Sequence, residues 1–170
     1  MSFLVRFLGR SDNREFAEEP RSMQPLLAAL SELDADQARY LAAFAYVLSR
    51  VAAADRIIDP TEVREMRSAL MEEGALPPSQ AELVVQLATT EAHQQGASQD
   101  YVVTRRLVEL TPRAERSRIL KCAIRVAAAD QVIDGHEEHE LRGIARQLGF
   151  SDKQFLQTLN EYRDFRSILR

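Results

Sequence analysis

Apolar side chains recur along most of this chain at spacings of three and four residues, the period that lines one face of an α-helix. Met23, Leu26, Leu27, Leu30 and Leu33 form the first such stripe, and Asp34 ends it. Asp34 and Gln37 have the spacing of a capping box, in which the N-cap oxygen accepts the N3 amide and the N3 side chain returns the bond. A second helix is therefore expected through Tyr40, Leu41, Phe44 and Leu48 to the alanines at 52 to 54. Asp59, Pro60 and Glu62 read as N-cap, first helical residue and box partner of a third helix, which stops near Gly74 and the Pro77-Pro78 pair. Ser79 with Glu82 opens a fourth, and Gly96 and Ser98 separate it from a fifth carrying Tyr101, Val102 and Leu107. Thr111-Pro112 starts a sixth that runs to Ala129, Asp134 with Glu137 opens a seventh, and Gly149 closes it. Ser151 with Gln154 opens the last, through Phe155, Leu159 and Tyr162. No convincing strand pattern interrupts the series. The expected architecture is all-α: a single-domain bundle of about seven to eight helices over residues 22–170, preceded by an N-terminal segment, 1–21, that is a short amphipathic helix or flexible.

Composition narrows the picture without changing it. A chain of 170 residues is long enough to bury roughly 70% of its unfolded surface without covalent staples. Its 45% apolar and 28% charged residues are ordinary for a globular protein, and six glycines and six prolines leave room for long helices. A formal charge of −4 speaks against nucleic acid as the main partner, because neutralising phosphates needs a clustered basic surface. Arg163, Arg166 and Arg170 interleave with Asp164, Phe165 and Ile168 and read as a solvated helix face. The lone cysteine, Cys122, excludes an intrachain disulfide and sits in an apolar helical run, as a buried inert thiol does. No apolar stretch approaches the roughly 20 residues that span a bilayer. The opening residues lack the long core of a cleavable signal, so a cytoplasmic protein is expected. Phe3, Leu4, Val5, Phe7 and Leu8 are expected to pack against the domain or a protein partner rather than a membrane surface.

Comparison of the chain with itself gives the strongest signal. Arg50-Val-Ala-Ala-Ala-Asp55-Arg-Ile-Ile-Asp59 returns as Arg125-Val-Ala-Ala-Ala-Asp130-Gln-Val-Ile-Asp134, at an offset of 75 residues. The correspondence continues through Glu62 and Glu137, Glu65 and Glu140, Arg67 and Arg142, and Gly74 and Gly149. The sequence thus predicts two related helical hairpins, about 36–74 and 111–149, packed about a pseudo-twofold axis. Each is a helix ending in small residues, a tight turn, and a second helix that starts with acid. The alanine triplets allow close helix crossings. Ile58 and Ile133 stand where a hydrophobic staple needs them.

The acids divide into two kinds. Asp59 with Glu62, and Asp134 with Glu137, are accounted for by the capping box and the helix dipole. Asp55 and Asp130 are not, since each follows the C-terminal end of a helix, where the dipole disfavours a carboxylate. Arg50 does not neutralise Asp55 along the helix, because five residues turn the side chains roughly 140° apart. Oxygen ligands from a turn and the adjoining first helical turn suit a hard cation, calcium or magnesium before zinc or manganese. The candidate metal ligands are therefore Asp55, Asp59, Glu62, Asp130, Asp134 and Glu137, with Glu65 in reserve. Six carboxylates around one divalent ion leave four surplus negative charges. Two ions, some solvent-facing carboxylates, or arginines such as Arg56 and Arg64 are then needed.

Ala-Ala-Asp-x-x-Ile-Asp-x-x-Glu, duplicated in a helical chain of this size, resembles the TerB-like family of bacterial tellurite-resistance-associated proteins. The likeness runs from about Met23 to Arg166. It implies an all-helical, non-catalytic domain linked to tellurite and other stress responses, which binds a divalent metal through the acidic turn. Where the family often has glycine after the first aspartate, this chain has Arg56 and Gln131. An arginine there brings the positive charge that an ion otherwise supplies.

Other chemistries fit less well. In an EF-hand counted from Asp55 or Asp130, position twelve would be Met66 or Leu141 instead of glutamate. The paired Glu-x-x-His motifs of a helical di-iron centre are missing. His136 and His139 have the spacing to grip zinc from one helix face, but Thr61 and Arg64 replace them in the first repeat, and two exposed polar residues on a first turn is the simpler account. No phosphate-cradling glycine loop, Ser-His constellation or Cys-His pair accompanies the carboxylates, which argues against an enzyme. The alternative to metal binding is a purely structural, protein-interaction domain whose acidic turns cap helices and pair with arginines.

Overall fold

The computed structural model describes residues 21–54, 58–95, 101–129 and 133–168. Eight helices and no strand lie among them: α1 Gln24–Ser31, α2 Ala35–Ala54, α3 Pro60–Glu72, α4 Pro78–Gln95, α5 Tyr101–Leu110, α6 Arg113–Ala127, α7 Gly135–Gln147 and α8 Asp152–Ile168. The helical reading and the element order hold throughout. The expected residues 1–21 segment lies almost wholly outside the described residues, as do Gly96 and Ser98.

The sequence of α2 explains its place. From Tyr40 to Ala52 every residue is buried, and apolar side chains face all round the helix rather than along one stripe. A helix of that kind has no solvent side and must be surrounded. Its principal neighbours are α4, α6 and α7, while α1 packs against both α2 and α4. Helix α6 is the second axis of the bundle. It buries Ile119, Leu120, Cys122, Ala123, Ile124, Val126 and Ala127 and packs against α2, α3, α7 and α8. The first helix of each sequence repeat therefore lies against the second helix of the other: α2 on α7, and α6 on α3.

One continuous core results, with Phe44, Met66, Leu70, Leu87, Leu141, Ile144 and Phe155 all at 1% exposure or less. Ile58 and Ile133 pack on its edge, where a staple needs them. Val63 packs there too and completes the staple of the first repeat, whereas the matching residue of the second is Glu138, which does not. At roughly 25 cal/mol per Å2 of apolar surface removed from water, each such aliphatic or aromatic side chain contributes about 1.5–3 kcal/mol. Cys122 belongs to this core. Its Sγ donates to the Ala69 carbonyl at 3.2 Å, and burial pushes the thiol well above its ordinary range.

Candidate functional site

Helices α3 and α7 start the same way, and the sequence says why. Asp59 Oδ1 accepts the amides of Thr61 at 2.6 Å and Glu62 at 2.9 Å, and Glu62 Oε2 accepts the Asp59 amide at 3.0 Å. Asp134 Oδ1 accepts His136 and Glu137, both at 2.8 Å, and Glu137 Oε2 accepts the Asp134 amide at 2.7 Å. Both are complete capping boxes, each satisfying amides that the first helical turn cannot bond internally. In each box one oxygen of the aspartate, Oδ1, takes both amides. Asp59 and Asp134 are exposed, Glu62 is half-buried, and Glu137 is buried at 7% exposure.

Asp55 and Asp130, the two acids that capping does not explain, lie outside the described residues, as do Arg56 and Gln131. Among the described residues no three histidine, cysteine, aspartate or glutamate side chains come together closely enough to hold a metal ion. The four described candidates fall into two pairs, one at the start of α3 and one at the start of α7. His136 and His139 are both exposed on the first turns of α7.

The arginine that opens each copy of the repeated motif has a role the sequence argument missed. Arg50 is buried, at 2% exposure, yet it does not turn to its own repeat. Its Nη2 donates to Glu140 Oε1 at 2.5 Å on α7, and its Nη1 donates to Gln147 Oε1 one further reach along the same helix. Arg125 does the same in the opposite direction. Its Nε donates to Glu65 Oε1 and its Nη1 to Glu72 Oε2, both at 2.6 Å, on α3. Glu65, held in reserve as a ligand on sequence grounds, is thus committed to an arginine. The only sequence signal for these bonds was that Arg50 and Glu65 recur with the repeat; neither spacing nor periodicity says which copy pairs with which.

Every one of the four acceptors stands at an offset of 75 from its counterpart, Glu140 from Glu65 and Gln147 from Glu72. The environments differ. Arg50 faces one carboxylate and one amide in a closed setting, whereas Arg125 faces two carboxylates and keeps 15% of its side chain exposed. Arg125 also walls a cleft of about 540 Å3 between α3, α6 and α8, floored by Ile124, Ala128, Ala129 and Tyr162 and rimmed by Glu72, Glu73, Glu161 and Lys121.

A helical bundle with two acid-capped turns is a pattern that comparison with known families can decide. The family model of the tellurite resistance protein TerB matches residues 40–160, from the second helix to the last. The chain belongs to the TerB family. The match includes both acidic turns and both arginines, and it agrees with the all-α fold. Comparison with curated proteins and with solved structures returned no match. None of the helices among the described residues is long and apolar enough to cross a membrane.

Proposed function

We propose that this TerB-family domain is a non-catalytic, divalent-metal-binding module of a tellurite-resistance or wider stress response. The ligands are Asp55, Asp59 and Glu62 in the first repeat and Asp130, Asp134 and Glu137 in the second, with calcium or magnesium favoured. The observation that supports this reading is the matched pair of capping boxes. Each uses Oδ1 of its aspartate on the helix, and Asp59 and Asp134 are both exposed. The donors are all hard oxygens, which suits those cations, and water completes the shell. A bound ion supplies positive charge beside a turn that otherwise gathers carboxylates. The separation of the described acids into two pairs favours one ion per turn over six carboxylates on one ion.

Thermal melts with calcium, magnesium, manganese and zinc, each against chelator, test the proposal. An ion bound only by the folded chain at 100 times its Kd adds about 2.7 kcal/mol, which for a chain of this size raises Tm by roughly 5–10 °C. The double variant Asp55→Asn, Asp130→Asn is expected to abolish the shift. If no ion moves the melt, the metal reading fails.

A second reading has its own observation behind it. Both boxes are fully occupied in capping, and Glu65 and Glu140 are paired with arginines, which is what a purely structural domain that docks a protein partner requires. Under that reading the melts stay fixed in every ion.

A further inference from the structure

We propose that Arg50 and Arg125 act together as a reciprocal latch that makes the two acid-capped turns one cooperative unit, so that a change at either helix start is felt at the other. Each arginine lies near the end of the helix that enters one turn: Arg50 four residues before the end of α2, and Arg125 two before the end of α6. Each grips the helix that leaves the other turn, at its sixth residue, Glu140 on α7 and Glu65 on α3. A shift of α7 at its capping box therefore pulls on the entry to the first turn through Arg50. A shift of α3 pulls on the entry to the second through Arg125. The loop closes because α2 and α6 pack against each other.

A pair of unrelated salt bridges would not have this form. Ion pairs placed only for stability can join any two elements, whereas here both run from entry helix to the opposite exit helix, and both use the same positions of the repeat. Buried, hydrogen-bonded pairs also switch between discrete arrangements rather than stretching, since an uncompensated charge in the interior is very costly. Arg50 at 2% exposure meets that condition most fully. The latch rests on described residues alone and takes its role in ligand binding from the metal reading; as a mechanical device it stands or falls without any ion.

Amide hydrogen exchange on the full chain, free of added metal, tests it. Glu140→Gln takes away the carboxylate partner of Arg50, and Glu65→Gln takes away one of the two carboxylates of Arg125 and leaves Glu72. Each keeps an acceptor for its arginine, and far-UV circular dichroism checks that both variants are folded. Glu65→Gln is expected to speed exchange at least tenfold over Val63–Arg67, which it touches, and at least threefold over Glu138–Arg142, which it does not. Glu140→Gln is expected to do the converse, with α1, which packs on α2 and α4, within twofold of the parent as the control for global loosening. Loosening confined to the helix that carries each substitution, the opposite helix within twofold, overturns the latch and leaves two independent ion pairs. Equal loosening of α1 overturns it as well, because the effect is then global.

Discussion

Gly74 and Gly149 align in the repeat, yet they end their helices by different means. Gly149 has φ of +83° and sits where its amide reaches Arg146 O at 3.0 Å while the Phe150 amide reaches Ala145 O at 2.9 Å, the bonding of a glycine-capped helix end. In the first repeat the chain continues one residue further, and the left-handed position falls on Ala75, with φ of +54°. Gly74 is needed for space instead: a Cβ there would stand 2.6 Å from the Leu70 carbonyl oxygen and 3.0 Å from the Phe44 ring. The stop was legible in the letters but its geometry was not, since a one-residue slip in a cap changes no hydrophobic pattern. Ala75→Gly relieves the left-handed strain and, net of the added freedom of the unfolded chain, is expected to stabilise by about 0.5–1 kcal/mol in denaturant titration. Tyr40 carries a second residue-scale consequence. Its hydroxyl donates to the Gly74 carbonyl at 3.3 Å, and burial pushes the phenol up to about 12, against an opposing contact from Arg118. Because the folded value lies above the unfolded one, the stability that this phenol contributes is whole below about pH 10 and is lost as pH rises towards 12. Absorbance of the ionised phenol, followed against pH in the parent and in Tyr40→Phe, reads that late titration directly.

Among the helices, capping chemistry was the best guide the sequence offered, and its failures are informative. The boxes at Asp59, Asp134 and Ser151 form in full, the last with the Ser151 amide bonding Gln154 at 2.9 Å and the Gln154 amide returning to Ser151 Oγ at 3.2 Å. Asp34 caps α2 through the Asp36 and Gln37 amides, but the Gln37 side chain leaves its box for Gln80 on α4, at 2.6 Å. Helix α4 begins at Pro78 rather than with a box at Ser79, and Glu82 pairs with Arg67 on α3. In both cases a partner from another helix outbids the local one, and local spacing carries no information about that partner. Ser151→Ala, which removes half of a complete box away from the acidic turns, is expected to cost about 1 kcal/mol by chemical denaturation, with Ser151→Asp close to the parent.

For the molecule as a whole, what could not be read from the letters is the set of arginine bonds that join residues 53 to 97 positions apart. An arginine among Tyr46, Val47, Leu48 and Val51 looks like the polar edge of an amphipathic helix, but α2 has no polar edge, so Arg50 had to find its carboxylate inside. The two acids left unexplained by helix electrostatics, Asp55 and Asp130, stay the part of the site that sequence argues alone. Arg50→Met strands Glu140 near the core and is expected to cost about 3–5 kcal/mol in equilibrium unfolding. Arg125→Met, with its partners open to solvent, is expected to cost distinctly less. The exchanged packing of α2 on α7 and α6 on α3 also bears on how the chain can be divided. Severed between Gln95 and Tyr101, the first fragment would keep α4 on α2 but lose α6 and α7 from it, and the second would lose α2 and α3 from α6. Each is therefore expected to expose much of the core and to be aggregated or only partly folded alone. Mixed, they would restore one another, and the pair would serve as a split reporter whose signal appears only when both halves meet.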